Sequence, residues 1–261
     1  MMNFLITNYG LLITFVLGTA IGSFLNVWSR RLLRGKPPTG RSRCEHCGHV
    51  LGFFDLIPLL SFAVLRGRCR YCHKPLSWQY PLVEGASGLL FAALAATQLT
   101  SILGLVFLLV SVSTLIVIFI TDFSAQVIFD QTLWIAGGAA FFYRLFLGGF
   151  QPAEIVPDLI TAFLVFLFLL SIRLITKKKG LGDGDPLLGF AAALLVGFPN
   201  ALVELFLAFV LGGAIGAVFV LSGKRQLKDR IAFGPFLVTA TFLTIFFGDR
   251  LLDWYLRFLG L

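Results

Sequence analysis

Charged residues are scarce in this chain. They make up 13% of its 261 residues, and hydrophobic residues make up 58%, whereas a soluble globular domain contains about a quarter charged residues. The apolar residues form repeated runs of about 20, the length of a helix that crosses the bilayer core. Alternating segments of about 10 residues, which are typical of transmembrane barrels, are missing. The composition excludes a soluble globular protein and predicts an all-α polytopic membrane protein.

The first apolar run, residues 4–28, has no basic residue before it and four between positions 30 and 36. A cleaved signal peptide shows the opposite order of charge, with a small-residue cleavage site behind it. We therefore expect a retained first helix whose amino terminus faces outside. Gly18 and Gly22 form a small-xxx-small pair, which favours close packing against another helix.

Seven further apolar runs bring the expected number of transmembrane helices to about eight. The sixth run of the chain is near the minimum length for crossing a membrane. The last run either continues as one helix to the carboxyl terminus or ends in a helix lying along the interface, because Leu251, Trp254 and Phe258 share one face. The seven runs cover residues 82–99, 102–121, 129–149, 155–176, 186–198, 201–222 and 231–248.

One polar insert, residues 29–80, separates the first and second helices. We expect three parts: the first transmembrane helix at 1–28, a cytoplasmic cysteine-rich domain at 29–80, and a seven-helix membrane domain at 81–261. With the amino terminus outside, the loops assigned to the cytoplasm carry 18 Lys or Arg and the other side carries 3. The positive-inside rule supports this orientation. The net charge of +8 therefore reflects membrane topology, and we expect no nucleic-acid partner.

Cysteine and histidine are missing outside residues 44–73. Two CxxC knuckles lie in the insert, separated by 21 residues. Four thiolates at this spacing are able to surround one Zn²⁺ tetrahedrally and leave no position for water, which indicates a structural zinc-ribbon-like site. A disulfide framework and thiol–disulfide exchange are the alternatives. The expected ligands are Cys44, Cys47, Cys69 and Cys72, and His46, His49 and His73 are expected at the surface or beside the site, where one histidine is able to replace a thiolate.

Two acidic residues lie at the ends of apolar runs. Asp122 follows the third run, and Asp185 precedes the sixth, so the predicted topology brings both to the cytoplasmic level. An acidic group at a membrane boundary is costly unless it has a partner or a function. The flanking Gly182 and Gly184 let the backbone approach another group closely.

A pair of adjacent carboxyl groups is suited to general acid–base chemistry. Both cannot ionise cheaply, so one keeps its proton and the other acts as a base. The base takes a proton from water as the water attacks a peptide carbonyl, and the acid protonates the leaving amine. We therefore expect Asp122 and Asp185 to be catalytic. The alternative is helix capping by either residue, and Asp130 and Asp183 are expected to be supporting or capping groups.

Two other classes of membrane protein remain open at this point. A proton- or cation-coupled transporter would explain the carboxylates but not the cysteine insert, and no internal repeat is evident. A membrane thiol oxidoreductase would explain the CxxC pairs, although these are expected on the cytoplasmic side.

Nearly the whole chain resembles the type IV prepilin peptidase family, a branch of the GxGD aspartyl proteases. The resemblance rests on several segments taken together: Gly22-Ser-Phe-Leu-Asn-Val27 with Arg31-Leu32, Cys44-x-x-Cys47, Leu56-Ile-Pro-Leu-Leu-Ser61, Leu65-Arg-Gly-Arg-Cys69, Tyr80-Pro-Leu-Val-Glu84, the segment from Asp122 to Asp130, and Gly182-Asp-Gly-Asp185.

The resemblance implies a multi-pass protein of the bacterial inner membrane that removes the short basic leader of prepilins or pseudopilins at the cytoplasmic face. It identifies Asp122 and Asp185 with the two catalytic aspartates. In bifunctional members the new amino terminus is then methylated with S-adenosylmethionine. The cysteine domain is associated with that second activity, and Gly67 matches a glycine linked to it. No Gly-x-Gly-x-x-Gly follows a strand here, so methylation rests on the resemblance alone.

The chain departs from the family pattern at two places. Phe129 stands before Asp130 where the family usually has Pro. After the GxGD motif stand Pro186 and Leu187, where the family usually has an aliphatic or aromatic residue and then Lys. Because the two aspartates remain, we expect proteolysis to survive both departures.

Overall fold

The computed structural model of the chain describes residues 8–97, 101–177, 180–222 and 232–259. These residues form nine α-helices and one 3-10 turn, and two isolated β-bridges are the only extended pairing among them. The all-α class is therefore confirmed. The helices are α1 (Asn8–Leu33), α2 (Leu60–Val64), α3 (Gln79–Thr97), α4 (Ile102–Ala125), α5 (Asp130–Leu147), α6 (Pro152–Ile175), α7 (Asp185–Val196), α8 (Asn200–Leu221) and α9 (Gly234–Leu259).

Six helices are long and apolar enough to cross a membrane, namely α1, α3, α4, α6, α8 and α9. Among the described residues the structure therefore has six candidate spans, and the expected number of about eight is not confirmed. Helix α7 has 12 residues, which span about 18 Å at the helical rise and fall short of the bilayer core. Helix α5 has 18 residues, begins with Asp130 and carries Arg144 in its last turn, and these charges lower its hydropathy.

The last helix continues to Leu259 without a break, which decides between the two expectations for the end of the chain. Lys178, Lys179 and the expected basic loop at 223–230 lie outside the described residues.

The chain divides into two compact units, Met1–Leu99 and Thr100–Leu261, called unit 1 and unit 2 below. In unit 1, α1 packs closely against α3. A Cβ added to Gly18 would lie 2.7 Å from the Ser87 carbonyl oxygen and 2.8 Å from the Gly88 Cα, and one added to Gly22 would lie 2.8 Å from Ser87 Oγ. Only hydrogen fits at these positions, which confirms the close packing expected from the small-residue pair.

Polar contacts join the insert of unit 1 to these two helices. Glu84 of α3 is buried, and its Oε2 accepts a hydrogen bond of 2.8 Å from the backbone N–H of Leu59. An Nη of Arg30 on α1 lies 2.7 Å from Oε2 of Glu45 in the insert. The insert therefore has a defined attachment to the helices on both sides of it.

Helix α7 is the centre of unit 2. It packs against α5, α6, α8 and α9, and ten of its twelve residues are buried. A Cβ at Gly189 would lie 2.3 Å from Leu169 Cδ1 of α6, so these two helices also meet at a glycine. The apolar run that was expected to be the sixth transmembrane helix is thus surrounded by other helices of unit 2.

An ion pair between the partly buried Arg144 and the buried Asp158 lies beyond the carboxyl end of α7. Both Nε and an Nη of Arg144 lie 2.7 Å from Oδ2 of Asp158. Oδ1 of Asp158 accepts a 2.8 Å hydrogen bond from the backbone N–H of Phe198. This pair connects α5, α6 and the turn between α7 and α8, at the end of α7 opposite to Asp185.

Candidate active site and cysteine cluster

Asp122 lies in the last turn of α4 and is 5% exposed. The helix ends there because Gln126 takes a left-handed conformation and donates its backbone N–H to the Asp122 carbonyl over 2.8 Å. Oδ2 of the Asp122 side chain is buried and has no hydrogen-bond partner among the described residues. A buried carboxyl oxygen without a partner is costly, which makes this atom a candidate for contact with water or substrate.

Asp185 is the first residue of α7 and is 3% exposed. Its Oδ2 accepts a hydrogen bond of 2.6 Å from the backbone N–H of Gly182, so the loop turns back on its own carboxylate. The N-cap of α7 is Gly184, which corrects the capping interpretation of Asp185. Pro186 follows at a position in the first turn where a missing N–H costs nothing.

Both carboxyl groups are buried in unit 2 and lie near each other. Asp185 is close enough for its charge to act electrostatically on Asp122. The loop before α7 also contacts the connection after α4, since a Cβ at Gly184 would lie 2.8 Å from Ile128 Cβ. Two acidic groups that are far apart in the sequence therefore lie in the same part of the interior of unit 2.

The other two acidic candidates lie at the surface. The side chain of Asp183 is 79% exposed and pairs with Arg173 of α6. Asp130 is exposed at the start of α5. Neither joins the buried pair, and their supporting role stays a prediction.

The departures from the family pattern are compatible with the local fold. Phe129 is the N-cap of α5 in an extended conformation, with φ −91° and ψ 131°, which a residue other than proline adopts without strain. Leu187 is 38% exposed, so the residue in place of the family's usual Lys lies partly at the surface.

The four cysteines converge in unit 1. Their Sγ atoms lie within 4.8 Å of one another, and Cys44 and Cys72 are 3.9 Å apart. Sulfurs about 3.8 Å apart are expected around tetrahedral zinc, since each Zn–S bond is about 2.3 Å. The expected Cys₄ cluster is thus present, and its geometry fits zinc.

The two knuckles share one backbone pattern. In each, the first cysteine donates its N–H to a carbonyl five residues later, from Cys44 to His49 and from Cys69 to Lys74, both over 2.9 Å. Positive φ angles follow at Gly48 (71°) and His73 (58°). This turn directs two sulfurs from each knuckle to the same side.

The thiols of the cluster differ in their pKa values. Burial raises the pKa of Cys44, but hydrogen bonds from the backbone at Cys47 and His46 and from neighbouring thiols lower it to about 6. A thiolate is therefore available at neutral pH to receive a metal ion. The cysteines are free thiols in this structure, and the three histidines are exposed.

Gly67 lies at a turn immediately before the second knuckle. Its φ is +69°, and an added Cβ would lie 3.0 Å from Phe62 Cζ. Its carbonyl accepts a 2.7 Å hydrogen bond from the N–H of Leu76. A side chain at this position would disturb the backbone around Cys69.

A cavity of about 540 Å³ lies beside the cysteine cluster within unit 1. Its wall includes seven basic and three acidic side chains, together with Cys44, Cys69, Phe62 and Tyr80. Small-molecule sites typically have volumes of about 300–1,000 Å³. The cavity is large enough for a ligand of cofactor size.

Gly234 is a residue of the site that the sequence did not reveal. It is the first residue of α9, and a Cβ there would lie 2.5 Å from Asp122 Oδ2 and 3.3 Å from Leu188 Cδ2. Gly234-Pro235 is recognisable in the sequence as a helix start, but that pattern does not indicate which side chain lies against it.

Comparisons with known proteins agree with the two-part organisation of the chain. Residues 16–98 match the model of the bacterial peptidase A24 N-terminal domain. Residues 109–217 match the model of the type IV leader peptidase family. No solved structure matches the chain significantly.

Curated relatives cover almost the full length. A protein from Aeromonas hydrophila named prepilin leader peptidase/N-methyltransferase is 32% identical over 94% of this chain and 93% of its own length. Proteins of the same name from Burkholderia pseudomallei (strain 1026b) and Bacillus subtilis (strain 168) are 31% and 29% identical over 93% and 94% of this chain, and over 87% and 97% of their own lengths. The chain belongs to the type IV leader peptidase family.

Proposed function

We propose that Asp122 and Asp185 are the catalytic pair with which this membrane protein removes the leader of type IV prepilins or pseudopilins. The observation that supports the proposal is that two buried carboxyl groups lie near each other in unit 2. The family favours this chemistry over the transporter and thiol oxidoreductase alternatives.

The reaction needs only the two carboxyl groups and water. The ionised group takes a proton from a water molecule, whose oxygen attacks the carbonyl carbon of the scissile peptide bond. The protonated group then donates its proton to the leaving nitrogen as the carbon–nitrogen bond breaks. The unpartnered Oδ2 of Asp122 is the atom we assign to water binding.

The substrate is expected to approach from the cytoplasm. Counted over the eight expected spans, the distribution of basic residues predicts an amino terminus outside and places for Asp122 and Asp185 on the cytoplasmic side of a bacterial inner membrane. Six apolar helices support a multi-pass position in the lipid bilayer. A prepilin has a basic leader, which would lie in the cytoplasm, and an apolar segment, which would lie in the membrane. The junction between these two segments would then be at the level of the aspartates.

We further propose that unit 1 carries the N-methyltransferase activity named for the relatives. Bound zinc would hold the two knuckles together through Cys44, Cys47, Cys69 and Cys72, in a structural role. The 540 Å³ cavity is the proposed place for S-adenosylmethionine, which would supply the methyl group. The excess of basic side chains around it favours a ligand with an anionic group, such as the carboxylate of that donor.

Mass spectrometry of a co-expressed prepilin tests both activities together. With the wild-type protein, we expect a pilin that lacks its leader and carries one methyl group on its new terminal amine. With Asp122→Asn, the precursor should keep its full length. An uncleaved precursor beside well-expressed wild-type protein would contradict the peptidase proposal, and a cleaved but unmethylated pilin would contradict only the methylation proposal.

A further inference from the structure

The first residue of α9 lies directly against the candidate catalytic group on α4. A Cβ at Gly234 would lie 2.5 Å from Oδ2 and 3.2 Å from Cγ of Asp122. Distances this short do not occur between a real Cβ and a carboxylate oxygen, so any side chain at position 234 must displace the Asp122 carboxyl group.

The amino end of α9 is also a source of positive partial charge. The backbone N–H of Gly234 stands at the first residue of α9, beside the Asp122 carboxyl group, whose Oδ2 has no hydrogen-bond partner among the described residues. Unpaired N–H groups at a helix start attract negative charge. Asp122 is nine-tenths buried, so this attraction acts with little screening by solvent.

The start of α9 has little freedom to move away. Phe233 is buried, and its ring centre lies 5.2 Å from that of Phe209 on α8. A Cβ at Gly212 of α8 would lie 3.3 Å from the ring of Phe236. The backbone of α9 is therefore fixed by packing, whereas the Asp122 carboxyl group is the end of a side chain that is able to rotate.

The same residue faces the helix of the second carboxylate. Leu188, whose Cδ2 lies 3.3 Å from the Cβ position of Gly234, is one turn after Asp185 on α7. The amino end of α9 thus lies against both α4 and α7, the helices that carry the buried acids. Its position limits the orientations that are open to Asp122.

We propose that Gly234 is a positioning residue, which holds the Asp122 carboxyl group in its productive orientation by offering a backbone N–H and no side chain. This proposal rests on the catalytic role assigned to Asp122 under the proposed function. Gly234 itself takes no part in proton transfer.

A thermal double-mutant cycle tests the contact without reference to activity. We expect Gly234→Ala to lower the unfolding midpoint of the detergent-solubilised protein by a few degrees in the wild-type background, and to have no such effect in an Asp122→Ala background, where the colliding carboxyl group is gone. Gly213→Ala on α8 is the matched control, because a Cβ there meets nothing within 4 Å. Equal effects of Gly234→Ala in both backgrounds would overturn the proposal, as would loss of the folded protein.

Kinetics of prepilin cleavage test the positioning role. Gly234→Ala should lower kcat roughly 10- to 100-fold through misplacement of the carboxylate and leave KM within about twofold. A kcat within threefold of wild type, beside an inactive Asp122→Asn, would overturn the positioning role alone. If Asp122→Asn cleaves at the wild-type rate, the proposed function fails, whatever the thermal cycle shows.

Discussion

The backbone N–H of Gly182 donates a hydrogen bond of 2.6 Å to Oδ2 of Asp185. This bond closes a turn of the loop before α7, and the turn holds the Asp185 carboxylate in place. A Cβ on Gly182 would lie 3.3 Å from the same oxygen, so the turn is tight but has some room. Gly184, two residues later, has less room, because a Cβ there would lie 2.8 Å from Ile128 Cβ.

These two glycines should therefore differ in their tolerance of alanine. Gly182→Ala needs the Asp185 carboxylate to shift only slightly, since the added Cβ would lie 3.3 Å from its Oδ2, and we expect a fewfold loss of cleavage rate. Gly184→Ala collides with the stiff, β-branched Ile128 and should separate the loop of Asp185 from the connection after Asp122, with a loss of about 10- to 100-fold. Steady-state cleavage of a prepilin measures both variants.

The control for this pair is Gly138→Ala in α5, where an added Cβ meets nothing within 4 Å. Its rate should equal that of the wild type. If Gly184→Ala cleaves as fast as Gly138→Ala, the contact between the two acid-bearing segments has no catalytic importance.

The cysteine cluster should hold about one zinc ion per chain. Metal analysis of purified protein measures it, and replacing any one cysteine by serine should abolish stoichiometric zinc, because a Cys₄ site needs all four thiolates. His46→Ala is the control, since this exposed histidine is not an expected ligand. Protein without metal in which all four thiols react with a thiol reagent would contradict the site.

The ion pair between Arg144 and Asp158 should be important for stability. Removal of one partner from a buried pair leaves the other charge uncompensated, which costs about 3–5 kcal/mol. We expect Asp158→Ala to lower the free energy of unfolding by that amount in a detergent denaturation titration. Glu154→Ala, an exposed acid in the first turn of the same helix, should leave it unchanged. Equal unfolding curves for the two variants would show that the pair adds no stability.

The sequence predicts local structure and approximate depth better than it predicts contacts between helices. The two CxxC knuckles, the pair Gly18 and Gly22, and the acids at the ends of apolar runs all follow from residue type and spacing. Those features depend on short segments whose partners are nearby or are implied by topology.

The contacts that the sequence did not reveal join distant helices. Arg144 and Asp158 gave no sign of pairing, and the fully buried Glu204 of α8, which accepts a hydrogen bond from Thr241, stands in an unremarkable apolar run. The shortness of α7 was visible, but its burial among four other helices was not, because an apolar sequence looks the same whether lipid or protein surrounds it.

The most direct test of the account is cleavage of a purified prepilin by Asp122→Asn and Asp185→Asn variants in detergent. We expect each to lower the rate by at least 10²- to 10⁴-fold, the usual contribution of general acid–base catalysis, while Asp253→Asn at the exposed end of α9 cleaves as fast as the wild type. Cleavage at the wild-type rate by either variant, with its fold intact, would contradict the catalytic pair.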